Sequence, residues 1–159
     1  YFPVDWSGFN AAQEFINIEP KESIVLSNDL IVVTHRTAHP GGNIIYRINY
    51  KGKSCCYITD LSHLDINNEG LIEFAKNSDV IIYDSFFTEE EYNAEHYLGW
   101  GHSTWEKGVR LAEDANVKQV VLTHHAIFRT DDDLDRIGIL AKERFENAVM
   151  AKEGMIIEL

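Results

Sequence analysis

Apolar and polar positions along this chain change rhythm part-way through. Up to about residue 60 the apolar residues come in short, strand-length stretches: Phe15-Ile16-Asn17-Ile18 before Pro20, Ile24 to Leu26, Leu30 to Thr34, Asn43 to Tyr50 and Ser54 to Thr59. Residues 1–22 are the least regular part, an extended opening with a Ser-Gly turn. Asn28-Asp29 is the turn between two of the strands, and Lys51-Gly52-Lys53 joins the last two as a hairpin with Asp60 at its far end. His39-Pro40-Gly41-Gly42 breaks the pattern as a loop.

Beyond that point helix and strand patterns alternate. A helix is expected from about Asn68 to Asn77, followed by the apolar strand Val80-Ile81-Ile82-Tyr83 ending in Asp84-Ser85, and then an acidic segment. The stretch Gly99 to His125 reads as loop, helix, turn and strand. Gly99 and Gly101 flank Trp100 in a loop that can bring backbone close to a ligand. Ser103 followed by Glu106 predicts a capping box, with the helix starting just after His102. Trp105, Val109, Ala112 and Ala115 recur at helical spacing, and Asn116 closes the helix. Val117 to Thr123 is a nearly continuous apolar run, the pattern of a strand buried on both faces, and it ends in His124-His125. A last amphipathic helix carries Leu134, Ile137, Ala141 and Phe145, and Met155 to Leu159 is expected to close the chain as a strand. Strands first and strand–helix alternation later predict mixed α/β layers.

Length and composition narrow the picture. A chain of 159 residues with 45% hydrophobic and 25% charged positions is one globular domain with enough material for a core. Its charge is unusual: 26 acidic against 14 basic residues give a formal −12. Such a surface repels nucleic-acid backbones and anionic membranes unless a basic patch or a metal intervenes. No apolar run approaches a spanning helix and no signal-peptide pattern is present, so the cytoplasm is the default compartment. Cys55 and Cys56 sit side by side in a strand and should point to opposite faces as reduced thiols.

Candidate metal ligands fall at element edges: His39 in the loop, Asp60 at the hairpin's end and His124 at the end of a buried strand. Imidazole with carboxylate suits zinc, manganese or iron, and a carboxylate can bridge two ions. Taken singly, each of these has a plainer reading. Ser103 and Glu106 need only cap a helix, and adjacent histidines at a strand end can be polar punctuation.

Five segments in order, AHPGGNIIYRI, YITDLSH, IIYDSFFTEEEY, GWGHSTWEKGVRLA and VVLTHH, resemble the C-terminal part of a metallo-β-lactamase-fold hydrolase. They are most similar to the branch containing phosphoribosyl cyclic phosphate phosphodiesterases and tRNA 3′-processing nucleases. The resemblance implies an α/β fold, an αββα sandwich of which this chain is the C-terminal portion, residues 1–159 forming part of a single domain. It matches His39, Asp60 and His124 to ligands of a two-ion site, Asp60 bridging. It matches His102 to the histidine that protonates the leaving oxygen and Asp84 to the carboxylate that orients it. The family's His-x-His-x-Asp-His motif is absent and is expected upstream of Tyr1, in keeping with the absence of an initiating methionine. Where many relatives follow the paired histidines with Asp-Pro, this chain has Ala126-Ile127. His63 and His125 receive no role, and His35 and His96 are expected to be solvated.

The function so implied is metal-dependent hydrolysis of a small cyclic or nucleotide-like phosphodiester by activated water, with His102 as general acid. The acidic balance argues against a nucleic-acid substrate. The alternatives are an ester, thioester or lactam hydrolase on the same fold, or a non-catalytic half-domain serving assembly or sensing. Apolar strand residues such as Ile45, Ile48, Val80, Ile82, Val121 and Leu122 should exceed what the helices can cover. The open sheet face then calls for the N-terminal half or a second copy as partner, and the fragment alone should be inactive.

Overall fold

The computed structural model describes residues 16–62, 68–94, 97 and 99–159, with the backbone only of Asn68. Phe15, the opening turn, His63 and His96 lie outside the described residues. The elements are β1 (Ser23–Ser27), β2 (Leu30–Thr37), β3 (Asn43–Tyr50), β4 (Lys53–Ile58), α1 (Asn68–Ala75), β5 (Val80–Asp84), α2 (Glu89–Asn93), α3 (Trp105–Asp114), β6 (Gln119–Thr123), α4 (Asp131–Arg144) and β7 (Ala148–Met150). All strands join one sheet in chain order. β1 to β4 run antiparallel, and β4 to β7 are parallel. The change follows the connections, since short turns allow only antiparallel neighbours whereas a parallel pair needs a crossover.

The parallel strands are apolar on both sides, as the Val80 and Val117 runs predict. Register aligns Cys56, Ile81, Val120 and Ala148 in one row, and Ile58, Tyr83, Leu122 and Met150 in the next. Both rows are buried under the helices, where they meet Ala75 of α1, Val109 and Ala112 of α3, and Ile137 and Ala141 of α4. Each large side chain so covered contributes about 1.5–3 kcal/mol. Trp105, Val109, Ala112 and Ala115 are all buried, as their spacing predicts. The helix layer on a sheet is one α and one β layer of an αββα arrangement.

The opposite face is more open. Tyr46 and Ile48 of β3 are each 39% exposed and Tyr57 of β4 is 46% exposed. Of the six apolar strand residues expected to outrun the helices, Ile45, Val80, Val121 and Leu122 are buried, and Ile48 is left open. Cys55 and Cys56 are free thiols on opposite faces, and burial pushes the Cys56 thiol up to about 11.

Several local expectations need correction. Thr104, not Ser103, caps α3, its hydroxyl accepting from the Lys107 amide at 3.3 Å. Ser103 is turned into the core, 2.9 Å from the Tyr83 hydroxyl, because a buried phenol needs a polar partner. Glu106 accepts from the Glu89 amide rather than closing a box. The acidic segment folds as α2, with Thr88 and Glu91 forming the capping box instead. The first long helix stops at Ala75, Asn77 adopting φ 55°. Ile16 to Ile18 and Met155 to Leu159 form no strand. The last strand is Ala148–Met150, which pairs with β6 directly after α4.

At Gly108, in the middle of α3, helix and sheet approach closely. A Cβ there would stand 2.5 Å from Tyr83 Cδ1 and 3.1 Å from Leu122 Cδ2. Helix propensity favours alanine over glycine by about 1 kcal/mol, whereas overpacking a core costs about 1–3 kcal/mol. The Tyr83 ring is tethered by Ser103 and has little freedom to retreat. Gly108→Ala should therefore lower the melting temperature by a few degrees in a thermal denaturation experiment, and a rise would mean that propensity outweighs packing here.

Candidate metal centre

The C-terminal edges of three neighbouring parallel strands build the site. Asp60 lies just past β4, Asp84 is the last residue of β5 and His124 follows β6, with Asp84 paired to Thr123 across the sheet. Crevices beyond strand carboxyl ends are where α/β sheets place ligands. Asp60 and His124 both adopt left-handed backbone, φ 55° and 59°. For a residue with a Cβ this costs on the order of 1–3 kcal/mol, tolerated only where the surroundings fix it. The two side chains meet there, with His124 Nδ1 3.8 Å from Asp60 Oδ2.

His102 arrives from the loop ahead of α3. Two backbone bonds hold that loop against the segment after β5: Phe87 N donates to Ser103 O at 3.1 Å, and Trp105 N to Phe87 O at 3.2 Å. His102 then stacks flat on Phe86, with ring centroids 4.4 Å apart and an interplanar angle of 7°.

Asp84 is the hub. Its side chain is 0% exposed. Oδ2 accepts from the Asp60 amide at 3.0 Å and lies 3.1 Å from His102 Nδ1 and 3.4 Å from His124 Nδ1. Oδ1 accepts from the amides of Phe86 at 3.1 Å and Ser103 at 3.5 Å. A carboxylate offers about four lone-pair sites, so these N–H groups use its capacity. Burial alone would push the Asp84 carboxyl up, but the hydrogen bonds from His102 and His124 outweigh it and hold it below the ordinary aspartate value. In return the Asp84 hydrogen bond, against the opposing effect of burial, raises His124 above the usual imidazole range, with the charges of Asp84 and Asp60 adding to it.

One donor atom from each of Asp60, Asp84, His102 and His124 falls within 4.8 Å of the others. His39 lies at the rim of this group, its ring centroid 6.4 Å from that of His102. The structure therefore brings the residues matched to proton transfer, His102 and Asp84, into the same cluster as Asp60 and His124. Mixed imidazole and carboxylate donors at the mouth of a crevice fit a divalent ion of the zinc, manganese or iron kind.

Two supporting residues carry weaker sequence signals. Asn43 Nδ2 reaches Thr37 Oγ1 at 3.0 Å, Thr59 O at 2.6 Å and Asp60 O at 2.9 Å, pinning the turn that presents Asp60. Its place directly after Gly41-Gly42 is the signal that could have flagged it. Gly101, φ +85°, packs on His39: a Cβ would stand 2.4 Å from its Cδ2, 2.8 Å from its Nε2 and 2.6 Å from Pro40 Cδ. The flexible-loop reading of this glycine anticipates close approach to a ligand, but the neighbour is His39 itself. A backbone bond from Ser62 N to Ala38 O, 2.7 Å, ties the His39 loop to the Asp60 turn. His125 points elsewhere, its Nδ1 3.2 Å from Ser85 Oγ, and burial lowers its pKa. His35 is half-buried against Phe74 rather than solvated, with ring centroids 5.4 Å apart.

Comparison with known proteins agrees with this architecture. A ribonuclease Z from Archaeoglobus fulgidus is 35% identical over 88 residues, which cover 55% of this chain and 28% of that protein. The chain thus spans little more than a quarter of that relative's length. Among solved structures, the metallo-β-lactamase-fold protein YhfI from Bacillus subtilis superposes with a TM-score of 0.72 at 25% identity, over 90% of this chain and 55% of that one. The short form of human tRNase Z shares the fold at a TM-score of 0.64 and 18% identity, over 87% of this chain and 47% of its own. Residues 6–125 match the model of the beta-lactamase superfamily domain, and the chain belongs to that family of metallo-β-lactamase-fold hydrolases.

Proposed function

We propose that this chain carries part of the centre of a metal-dependent phosphodiesterase acting on a small cyclic or nucleotide-like phosphodiester. The observation that carries the reading is the single buried carboxylate of Asp84 shared by His102 and His124. One group fixes both an imidazole suited to a metal and an imidazole suited to moving a proton. His124 and Asp60, with His39 at the rim, are the residues that would hold divalent ions, two of them in the whole protein. Zinc or manganese, or iron, suits these donors. When bound, such ions supply an acidified water and neutralise charge on the phosphoryl oxygens.

The remaining work falls to this chain's own side chains. Asp84, with its lone pairs engaged, acts as a positioning residue rather than a ligand. It holds His102 through Nδ1, which leaves Nε2 as the atom that carries the proton to the departing alkoxide. Phe86 covers one face of that ring and excludes water from it. The open face of the sheet, with Ile48, Tyr46 and Tyr57, is where the second β layer of the sandwich would pack, supplied by the rest of the protein or by a second copy. The likeness to ribonuclease Z favours a second reading, an RNA substrate. A formal charge of −12 weighs against it for this portion of the surface.

Metal analysis and hydrolysis of bis-p-nitrophenyl phosphate test the reading directly, and turnover of an RNA 3′ end in preference to small diesters would favour the second. Asp60→Ala should lose metal and activity together. His102→Ala should keep its metal yet slow esters with poor leaving groups by about 10²–10⁴-fold, while activated aryl esters are largely spared because they need no protonation. Loss of metal from His102→Ala would overturn the division between ligand and acid.

Gly101→Ala tests the place of His39. The added methyl must displace the imidazole, so metal affinity should fall by about 10–100-fold, the scale on which supporting contacts act, with the circular dichroism spectrum unchanged. Unaltered affinity would remove His39 from the centre.

A further inference from the structure

The chain that follows the paired histidines makes a turn whose tip is apolar. Arg129 N donates to Ala126 O at 2.9 Å, which leaves Ile127 and Phe128 as the two central residues. Turns favour glycine, proline, asparagine, aspartate and serine, for reasons of backbone and solvation. Here Ile127 is 97% exposed and Phe128 52% exposed, while Ala126 before them is buried. Neither tip residue belongs to the core under the helices. Ile127 therefore adds almost nothing to the hydrophobic stabilisation of the fold, since its side chain stays in water.

The turn is nonetheless firmly held. The Arg129 guanidinium, only 12% exposed, pairs with Glu91. Glu91 Oε2 also accepts from the Thr88 amide at 2.9 Å, and Thr88 caps α2 directly after Phe86 and Phe87. One ion pair thus ties the apolar tip to the segment that carries Phe86. The Phe128 ring meets Phe86 edge-on, with centroids 6.4 Å apart. Phe86 in turn is stacked on His102 and stands edge-on to His124 at 6.1 Å. An aromatic path therefore leads from the exposed tip to both imidazoles of the cluster. With its guanidinium engaged by Glu91, this side of the mouth offers an arriving group rings and aliphatic carbon rather than charge.

We propose that Ile127 and Phe128 form a specificity lip which, with Phe86, takes an aromatic or other apolar substituent on the departing oxygen. The proposal rests on the phosphodiesterase reading above and names the class of its leaving group. His102 delivers its proton to that oxygen, and the group the oxygen carries lies beside the rings packed around His102. A lip already pinned in place loses little conformational freedom when such a group settles on it.

The test uses whole, metal-loaded protein and two diesters, methyl phenyl phosphate and methyl 2-naphthyl phosphate. Their leaving phenols are of similar acidity, so the pair differs chiefly in apolar area. The ratio of kcat/KM should favour the naphthyl ester by about 10-fold, carried by KM, the scale on which an added apolar group is discriminated. Ile127→Ser and Phe128→Ser should each cut that ratio by about threefold or more. Phe128→Leu, which keeps an apolar side chain, should retain most of it. Equal use of the two esters, or a ratio unchanged in both serine variants, overturns the lip. Binding to phosphatidylcholine vesicles that Ile127→Ser abolishes, in place of any naphthyl preference, overturns it too and makes the tip a membrane contact. If neither ester is hydrolysed, the phosphodiesterase reading fails on its own. Calorimetric binding of phenyl phosphate and 2-naphthyl phosphate then decides for the lip if the naphthyl compound binds more tightly and the serine variants erase the difference, and against it otherwise.

Discussion

A buried carboxylate is expensive, and the geometry of this site follows from how the Asp84 charge is compensated. Removing an ion from water costs several kcal/mol even after relaxation, and Asp84 has no solvent contact. The cost is met by N–H groups from separate pieces of chain: the turn after β4, the segment after β5, the loop before α3 and the residue after β6. Each of these donors is lost if its segment moves. The need to satisfy one charge thereby fixes four segments relative to one another more tightly than apolar packing would, because hydrogen bonds are directional and dispersion contacts are not.

The sheet makes this convergence possible. Parallel neighbours in chain order bring their carboxyl ends to a common edge, and the crossover helices cover one face without blocking it. Left-handed backbone at Asp60 and His124 then breaks the strand direction just where the side chains must turn toward each other. Strain of this kind persists only when neighbours over-determine it. Asn43, bonded to the carbonyls of Thr59 and Asp60, is such a neighbour.

Much of this was legible in the sequence, and the misses have physical causes. The strand runs from Leu30 to Tyr83, the face of α3 and the edge position of His124 follow from periodicity, which reports burial. The resemblance named Asp60, Asp84, His102 and His124, whose side chains the fold gathers beyond the strand ends, and also His39, which stands at the rim. Periodicity does not report which of two adjacent hydroxyls caps a helix. Ser103 and Thr104 compete for that place, and the choice is settled by the Tyr83 phenol, a residue twenty positions away in sequence. The same limit hid α2, an acidic segment without an apolar period that becomes a helix where Thr88 caps it. Met155 to Leu159 has the apolar composition of a strand but takes no place in the sheet, because composition does not report whether an edge is there to pair with. The role of Gly101 was also out of reach, since a glycine shows that space is needed without showing for what.

The two faces of the sheet carry different kinds of information. Under the helices, substitution is constrained by volume, as at Gly108, and the residues there say little about chemistry. On the other face the side chains are larger than solvent exposure alone would favour, with Tyr46, Ile48 and Tyr57 each partly exposed. Aromatic rings left partly exposed near a charged cluster are costly unless something covers them. A second β layer would cover the middle of this face, around Ile48.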